Sequence, residues 1–337
     1  MRYKLQNTTT EILISEKLPT LANKKMVLIV DEHIEELYKD VINGIIEDSP
    51  QYIFTAKEKF KTIDEIIKIY SFFIKNNVNR ETVVVGIGGG ITTDIASFAA
   101  STFKRGCKLQ LIPTTFLGMI DASIGGKTAI NFEGVKNAIG TFYPAEKVFV
   151  YPPFLKTLAE DDLRSGWTEC LKASLIKDNG LYELLLESKK IITKEIIQKA
   201  IAIKIGLCKK DLYDSGERRK LNLGHTFAHV LESVSNYQVN HGDAVAIGIR
   251  KAAECSRSKR MLNEIDFLKI IKLLDRYDLP KNIPDELKKR VNEIGNEVII
   301  QDKKAGEKVR IVLFNGFQDI VLHKVDATNE IIDLLVS

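Results

Sequence analysis

The feature that most restricts the fold is an alternation of short apolar runs and helix-periodic stretches in the first half of the chain. The runs Met26–Val30, Tyr52–Thr55 and Glu81–Gly86 have the length and composition of buried strands. Stretches with helical period follow at His33–Ile46 and Ile63–Lys75. Strands that alternate with helices predict a parallel sheet covered on both faces, which is the α/β class.

The second half of the chain has a different pattern, which is helical almost to its end. The break is marked by Pro152-Pro153. The predicted helices lie at Ser165–Lys177, Lys194–Asp211, Arg219–Val234, Gly242–Lys259, Glu264–Tyr277, Pro284–Glu293 and Ala327–Val336, with a strand pair at Val309–Phe314 and Asp319–His323. Because 337 residues favour two domains, we expect an α/β domain over residues 1–151 and a mostly α-helical domain over residues 152–337.

Composition narrows the classes of partner. Forty-nine cationic and 45 anionic residues form a mixed surface, so no nucleic-acid partner is implied, whereas an anionic small substrate is compatible. The N-terminus has no long apolar run, and no stretch approaches ~18 uninterrupted apolar residues, so we expect a soluble chain without a membrane partner. The four cysteines are scattered, which is typical of buried thiols in a reducing cytoplasm.

A triple glycine, Gly88-Gly89-Gly90, separates the third predicted strand from a helix that runs through Ala100. Backbone amides without Cβ atoms can approach phosphate oxygens, and a helix N-terminus adds partial positive charge. The spacing is not GxGxxG, so the turn indicates a dinucleotide site of a non-Rossmann type; a tight turn alone is the alternative. At the end of the first strand, Asp31 suits either a ribose hydroxyl or a helix N-cap.

A second glycine pair, Gly125-Gly126, precedes Lys127, and Lys136 and Arg105 lie nearby in the sequence. Cations beside glycines and hydroxyls favour an anionic ligand. Ordinary surface charges are the alternative interpretation.

Three of the five histidines lie close together in the sequence, at His225, His229 and His241. The first two are spaced i, i+4, so their rings lie on one side of a helix, and the third opens the next helix. Three imidazoles placed in this way can converge on one point, and neutral imidazole is a ligand for zinc and related metals. The spacing therefore indicates a metal site. The alternative is a solvent-exposed histidine pair with a third histidine acting as a helix cap.

A candidate carboxylate partner is Glu169, three residues before Lys172 and on the same helical face. A surface ion pair is one interpretation of this spacing. The flanking Trp167, Cys170 and Leu171 instead predict a partly buried carboxylate, which needs a partner such as a metal ion.

Eight motifs together resemble the 3-dehydroquinate synthases, a family of the sugar phosphate cyclase superfamily. They are Gly88-Gly89-Gly90-(x)3-Asp94, Lys104-Arg105-Gly106, Pro113-Thr114-Thr115, Asp121-x5-Lys127-Thr128, Lys136-Asn137, Glu169-x2-Lys172, Asn222-x-Gly224-His225-Thr226-x2-His229-x2-Glu232 and His241-Gly242-Asp243-Ala244-Val245-Ala246-x-Gly248. They occur in the family's order and spacing, and the resemblance runs from about Asp31 to Lys304.

The resemblance implies a cytoplasmic lyase of the shikimate pathway to aromatic amino acids. Such an enzyme converts 3-deoxy-D-arabino-heptulosonate 7-phosphate into 3-dehydroquinate and phosphate. Transient oxidation by NAD, phosphate elimination, re-reduction, ring opening and an intramolecular aldol closure are the implied steps. The resemblance also implies a divalent metal, zinc or cobalt, an NAD site in the α/β domain, a metal site in the helical domain, and a homodimer.

Site residues follow from the resemblance position by position. The implied metal ligands are Glu169, His225 and His241, so His229 is not a ligand despite its spacing. The implied NAD contacts are Asp31, Glu58, Lys61, Gly89, Gly90, Ile91, Thr92, Thr93, Asp94, Thr114, Thr115, Lys127, Lys136, Phe154, Leu155, Lys156 and Thr157. The implied substrate and proton-transfer residues are Arg105, Asp121, Lys127, Asn137, Lys172, Lys204, Asp214, Arg218, Asn222, His229 and Lys304, with Lys303 as the alternative to Lys304 and with Arg105 reaching the phosphate site of the partner subunit.

Several positions depart from the family pattern. Asp214 stands where the family usually has a glutamate, often assigned as proton acceptor, and Ala228 replaces a glycine. Thr92-Thr93 replaces an apolar residue and a glycine, and Lys57 replaces a glycine before Glu58.

Two other functions stay open. One is another sugar phosphate cyclase, such as a 2-deoxy-scyllo-inosose synthase, and the other is a metal-dependent polyol dehydrogenase. Lys204 together with Arg218 favours a substrate that carries a carboxylate, which the substrates of those other cyclases lack.

Overall fold

A computed structural model describes residues 1–5, 8–18, 21, 25–45, 49–302, 309–325 and 328–336. The chain divides into two compact units. Unit 1 comprises Met1–Leu158 and Lys204–Tyr213, and unit 2 comprises Ala159–Ile203 and Asp214–Ser337. The predicted domain division between residues 151 and 152 stays a prediction.

Unit 1 is organised around a seven-stranded sheet. The strands up to residue 150 are β1 (Arg2–Leu5), β2 (Thr8–Ile14), β3 (Met26–Asp31), β4 (Gln51–Phe54), β5 (Val83–Gly88), β6 (Lys108–Pro113), β7 (Lys127–Phe132), β8 (Val135–Phe142) and β9 (Lys147–Val150). The sheet has the order β1-β2-β9-β6-β5-β3-β4, and every neighbouring pair is parallel except β1 with β2. The parallel α/β arrangement predicted from the alternation is therefore confirmed.

The helices of this sheet are α1 (Glu32–Ile45), α2 (Ile63–Lys75) and α3 (Gly90–Thr102). Strand β5 is buried along its whole length, because apolar runs in a parallel sheet are covered on both faces. Its neighbours in the sheet are β3 and β6. Asp31 and Gly88 are the last residues of β3 and β5, and Thr114 directly follows β6. Since parallel strands end at the same edge, these three residues lie at one edge of the sheet.

The hairpin of β7 and β8 was absent from the sequence-based prediction. The two strands pair antiparallel and form their own two-stranded sheet. Their turn is Glu133-Gly134, and both residues have positive φ, at 50° and 78°. A two-residue turn with positive φ at both positions matches the twist of the strands that it joins.

From residue 160 onward the chain is mainly helical. The elements are α4 (Glu160–Ile176), α5 (Leu181–Glu187), α6 (Lys194–Lys210), α7 (His225–Val234), α8 (His241–Ser258), α9 (Glu264–Arg276), α10 (Asp285–Asp302), β10 (Arg310–Gly316), β11 (Asp319–Lys324) and α11 (Thr328–Val336). The two strands form an antiparallel pair. No helix among the described residues is both long enough and apolar enough to span a bilayer.

Three predicted helices were wrong in their extent. Helix α4 begins at Glu160, five residues before the predicted Ser165, and α10 ends at Asp302, nine residues after the predicted Glu293. The expected continuous helix Arg219–Val234 is a 3-10 helix at Glu217–Asn222 followed by α7. Gly224 separates them with a φ of 80°, a left-handed conformation that ends helical geometry and that glycine adopts without strain. Helix α7 therefore begins at His225, directly after this turn.

Candidate functional site

Three predicted metal ligands come together within unit 2. Glu169 lies on α4, His225 begins α7 and His241 begins α8. One ligand atom from each residue lies within 4.8 Å of the others. The Nε2 atoms of both histidines are 3.8 Å from the same oxygen, Glu169 Oε1. Ligand atoms about 2.1 Å from one ion are at most about 4.2 Å apart, so these two separations suit a shared ion.

The backbones of α7 and α8 approach closely at two glycines, and this contact sets the spacing of the two histidines. A Cβ atom on Gly248 would lie 2.1 Å from the carbonyl oxygen of Gly224. A Cβ atom on Gly224 would lie 2.7 Å from the amide nitrogen of Ile249. Only glycine fits at either position, since backbone atoms cannot move aside as side chains do.

The start of α8 is held against α4 by a third glycine and a helix cap. A Cβ atom on Gly242 would lie 2.4 Å from the Cα atom of Ser165. The N-cap residue Asn240 accepts a hydrogen bond from the Gly242 amide at 2.8 Å, and the Ser165 hydroxyl donates to the same side-chain oxygen at 2.6 Å. This contact therefore places His241 near Glu169, which lies one turn after Ser165.

Each imidazole is oriented through its Nδ1 atom. The Nδ1 atom of His225 lies 3.3 Å from the carbonyl oxygen of Leu223, and that of His241 lies 3.2 Å from Glu232 Oε1. Because both partners are acceptors, each Nδ1 carries the proton. In the neutral rings this leaves an Nε2 lone pair toward Glu169, as in histidines that bind a metal.

The Glu169 carboxylate is almost completely buried, with 3% of its side chain exposed. The equally buried Lys172 ammonium forms an ion pair with its Oε2 atom. Neither carboxylate oxygen accepts a hydrogen bond of good geometry, although the ammonium lies in contact. The surface ion pair considered from the sequence is therefore wrong, and the partly buried carboxylate is confirmed. A cation that binds this carboxylate and both imidazoles would satisfy these acceptors.

The charges of the cluster shift its pKa values strongly. Burial raises the pKa of Glu169, but the Lys172 ammonium and the two imidazoles lower it more, to well below the usual 4.5. Burial and the same ammonium lower the pKa of His225 well below 6.5, so its ring is neutral. Burial also lowers the pKa of His241, but the nearby carboxylates of Glu169 and Glu232 outweigh it and raise the value to about 9. The site thus favours positive charge beside Glu169.

Other predicted residues of unit 2 lie in the segment that leads to α7. Arg218 is fully buried on the 3-10 helix, and Asn222 is the last residue of that helix. Asp214 has a φ of 58°, and its carbonyl oxygen accepts a hydrogen bond from Arg219 Nε at 3.1 Å. The ring of His229 lies 5.7 Å from that of His225, between ring centroids. Lys304 and its alternative Lys303 lie outside the described residues.

The glycine-rich turn of unit 1 connects β5 to α3. Gly89 is the N-cap of α3 and Gly90 its first residue, so their amides lie at a helix N-terminus. The hydroxyls of Thr92 and Thr114 are buried and have no hydrogen-bond partner among the described residues. Asp31 Oδ1 accepts from the amide of His33 at 3.2 Å, which confirms the N-cap interpretation for that oxygen and leaves a ribose contact as a prediction.

Predicted cofactor and substrate residues of unit 1 share one polar network. The Lys61 ammonium lies 2.6 Å from Asp94 Oδ2 and 2.6 Å from Asn137 Oδ1. Asn131 joins this network, since it donates to Glu58 Oε1 at 2.8 Å and accepts from the Asn137 amide at 2.8 Å. Burial raises the pKa of Asp94, and the Lys61 charge opposes that rise.

The remaining predicted residues of unit 1 are more scattered. The 3-10 helix Pro152–Thr157 contacts Tyr38, whose hydroxyl lies 2.8 Å from Thr157 Oγ1. Lys204 forms an ion pair of 2.6 Å with Asp121. Arg105 and Lys127 are exposed, Lys136 is half-buried, and their predicted roles stay predictions.

Two residues with a structural part in these sites had no predicted role. Glu232 orients His241. In the sequence, Glu232 lies seven residues after His225, which places it two turns along the same helix face and could have indicated its role. Asn131 connects Glu58 to Asn137. Its partners are 73 and 6 residues away, so no local pattern indicated them.

Family comparison covers most of the chain. Residues 51–165 match the model described as 3-dehydroquinate synthase N-terminal, and residues 166–305 match that described as 3-dehydroquinate synthase C-terminal. A 3-dehydroquinate synthase of Pyrococcus abyssi is 38% identical over 273 residues, which is 80% of this chain and 78% of that protein.

Two solved structures of similar fold are cyclases. The 2-epi-5-epi-valiolone synthase of Streptomyces hygroscopicus subsp. jinggangensis 5008, with NAD⁺ and Zn²⁺ bound, has a TM-score of 0.85 at 24% identity and covers 99% of this chain and 98% of its own. A 2-deoxy-scyllo-inosose synthase with carbaglucose-6-phosphate, NAD⁺ and Co²⁺ has a TM-score of 0.85 at 23% identity and the same coverage. At such identities the likeness concerns the fold.

Proposed function

Because the chain belongs to the 3-dehydroquinate synthase family, we propose that it converts 3-deoxy-D-arabino-heptulosonate 7-phosphate into 3-dehydroquinate and inorganic phosphate. The observation that carries this proposal is the convergence of Glu169, His225 and His241 in a chain that matches both family models. In this function the enzyme is a lyase of the shikimate pathway.

The donor set of unit 2 fits a divalent metal ion. It offers one buried carboxylate and two imidazoles whose Nδ1 atoms are already engaged, which is a usual ligand set for zinc in enzymes. We propose zinc or cobalt as the ion. When bound, NAD supplies a hydride acceptor and donor, and the metal ion supplies positive charge that lowers the pKa of a substrate hydroxyl.

Cationic side chains of unit 2 are proposed to bind the anionic groups of the substrate. Lys172 is buried beside Glu169, and Arg218 is buried on the adjoining 3-10 helix. Buried cations bind a phosphate or carboxylate more strongly than exposed ones, since water screens them less. We propose that His229 transfers a proton at an imidazole nitrogen and that Asn222 donates a hydrogen bond. Whether Asp214 accepts a proton in place of the usual glutamate stays a prediction.

We propose that unit 1 binds NAD at the carboxyl edge of its sheet. The amides at the start of α3 suit the pyrophosphate, and the unpaired hydroxyls of Thr92 and Thr114 offer further donors. We propose that the Asp31 carboxylate, at the end of β3, accepts a hydrogen bond from a ribose hydroxyl. The other predicted NAD contacts, the substrate contacts of Asp121, Lys127, Asn137 and Lys204, and the homodimer with Arg105 at its partner subunit are carried over from the family as predictions.

The test measures phosphate release from the heptulosonate phosphate by the purified protein with NAD and Zn²⁺ added. We expect phosphate and 3-dehydroquinate in equal amounts, with no net NADH, because the hydride that NAD accepts is returned. A chelator should stop the release and added Zn²⁺ or Co²⁺ should restore it. Light scattering of the same preparation measures whether the protein is a dimer.

Two results would overturn the proposal. Accumulation of NADH from a polyol without phosphate release would indicate a dehydrogenase. Faster release of phosphate from glucose 6-phosphate or sedoheptulose 7-phosphate than from the heptulosonate phosphate would indicate another sugar phosphate cyclase.

A further inference from the structure

We propose that Glu232 is a positioning residue of the metal site, which fixes the direction of His241 without contacting the ion itself. This inference rests on the proposed function, because it requires that a divalent ion binds Glu169, His225 and His241. The contact that carries it is the 3.2 Å separation of His241 Nδ1 and Glu232 Oε1.

The two histidines are held in different ways. The Nδ1 atom of His225 lies against the backbone carbonyl of Leu223, which no side-chain substitution removes. For His241 the corresponding acceptor is the carboxylate of Glu232. A substitution of this glutamate therefore isolates the effect of ring orientation at one ligand and leaves the other ligand's orientation intact.

The ring orientation of His241 depends more on its Nδ1 contact than the ring orientation of His225 does. Its side chain is 36% exposed, against 16% for His225 and 3% for Glu169. It is also the first residue of α8, so no preceding helical turn packs against its ring. A half-buried ring at a helix start is restricted less by packing than a buried one, so its hydrogen bond decides which nitrogen faces Glu169.

Glu232 is a buried carboxylate on the same helix face as His225, and burial of a charged group costs free energy. Only 6% of the residue is exposed, and it lies on α7 seven residues after His225, on the same face of the helix. A buried carboxylate is tolerated only where it is paired, and the His241 ring is one such partner. Helix α7 therefore provides one ligand directly and orients a second through Glu232.

The experiment compares Zn²⁺ affinity of the wild type, Glu232→Gln and Glu232→Leu by competition with a chromophoric chelator. We expect about 10–100-fold weaker binding for Glu232→Leu, as is usual when an orienting partner of a ligand is lost. Glu232→Gln should lose less, because its amide oxygen still accepts from Nδ1. The visible absorption of the Co²⁺-loaded protein should change in Glu232→Leu, which a role in stability alone would not cause.

The matched control is Glu65→Gln in unit 1. Glu65 is also 6% exposed and accepts a hydrogen bond, from the Tyr52 hydroxyl at 2.7 Å, but it contacts no proposed ligand. This variant should bind Zn²⁺ as the wild type does.

A double-mutant cycle with His241→Ala completes the test. If Glu232 acts through His241, then Glu232→Gln should weaken Zn²⁺ binding in the wild type and have no further effect in the His241→Ala background. Equal effects in both backgrounds, or wild-type affinity in a folded Glu232→Leu, would overturn the inference. If Glu232→Leu does not fold, the cycle with Glu232→Gln decides. Failure of the wild type to bind Zn²⁺ would instead contradict the proposed metal site.

Discussion

The three-ligand cluster of unit 2 and the glycine-rich turn of unit 1 differ in what they leave unsatisfied. In unit 2, a carboxylate and two imidazoles face one another, and neither oxygen of Glu169 accepts a hydrogen bond of good geometry from the described residues. In unit 1, the charges of Lys61 and Asp94 are paired, and the unpartnered atoms near the turn are neutral hydroxyls. The first arrangement suits a bound metal cation, whereas the second suits a polar ligand bound through amides and hydroxyls.

The two regions also differ in how glycine shapes them. At Gly248 the atom that a Cβ would meet is a backbone carbonyl oxygen 2.1 Å away, whereas at Gly89 it is the Thr115 Cγ2 atom 3.0 Å away. A side chain can rotate, but two packed helix backbones cannot separate without moving the ligands that they carry. Ligand geometry in unit 2 is therefore fixed by main-chain packing.

The largest effect is expected from Glu169→Ala, which tests the requirement for a cation. Loss of the charged ligand should remove metal binding and lower turnover by about 10³-fold, or about 4 kcal/mol of transition-state stabilisation. Turnover and bound Zn²⁺ are measured on the same preparation.

The control for this prediction is Glu254→Ala, which removes a glutamate that pairs with Lys251 outside the cluster. It should leave both quantities unchanged. Full activity of Glu169→Ala without metal would contradict the role of the cluster and the contrast drawn with unit 1.

A smaller effect is expected from Lys61→Met, which tests whether the ion pair of Lys61 and Asp94 stabilises unit 1. The substitution leaves the half-buried Asp94 carboxylate without its cation and should lower the free energy of unfolding by about 3 kcal/mol. The double variant Lys61→Met/Asp94→Leu should recover part of this loss. Urea unfolding measures both, and equal stability of wild type and Lys61→Met would show that the pair is not needed.

Gly248→Ala tests the main-chain packing of unit 2. Its Cβ would overlap the Gly224 carbonyl oxygen, so we expect a loss of about 2 kcal/mol in unfolding free energy, together with weaker Zn²⁺ binding. Gly206→Ala on α6 is the matched control, since nothing lies within 4 Å of a Cβ there and the change should stabilise by about 0.5–1 kcal/mol. A Gly248→Ala protein as stable as the Gly206→Ala protein would contradict the close approach.

The smallest effect is expected from two substitutions of Asp31, which distinguish a role as a helix cap from a role in NAD binding. Asp31→Ser keeps a side-chain oxygen that can cap the helix, so its free energy of unfolding should match that of the wild type. Asp31→Ala removes the cap and should lower the free energy of unfolding by about 1 kcal/mol. If the carboxylate also binds a ribose hydroxyl, both variants should bind NAD more weakly in calorimetry. Wild-type NAD affinity in Asp31→Ser would leave the residue as a helix cap only.

Much of the fold was accessible from the sequence because its signals are local. The apolar runs of β3 and β5 and the period of α2 are visible within windows of fewer than 15 residues, and α2 begins and ends where predicted. The 3-10 helix at Glu217–Asn222 was not visible, because its residues have the same helical period as α7 and only the conformation of Gly224 separates them.

The candidate site was predicted only in part for the same reason. Spacing alone suggested that His225, His229 and His241 share a metal ion. The resemblance to the family then excluded His229 and implied Glu169, His225 and His241 as the ligands. The carboxylate lies 56 residues before His225 in the chain, so no periodicity relates the two. Their 3.8 Å approach depends on how α4, α7 and α8 pack.

By itself, the sequence determined the alternation of strands and helices, the glycines at turns and the kinds of side chain available as ligands. These properties follow from backbone preference and hydrophobic periodicity, which act between near neighbours. The tertiary structure alone decided which acceptors face one another, which nitrogen of His241 is engaged, and that Glu169 is buried beside Lys172. Those outcomes depend on backbones in contact at Gly224, Gly242 and Gly248, and such contacts arise only when distant segments pack together.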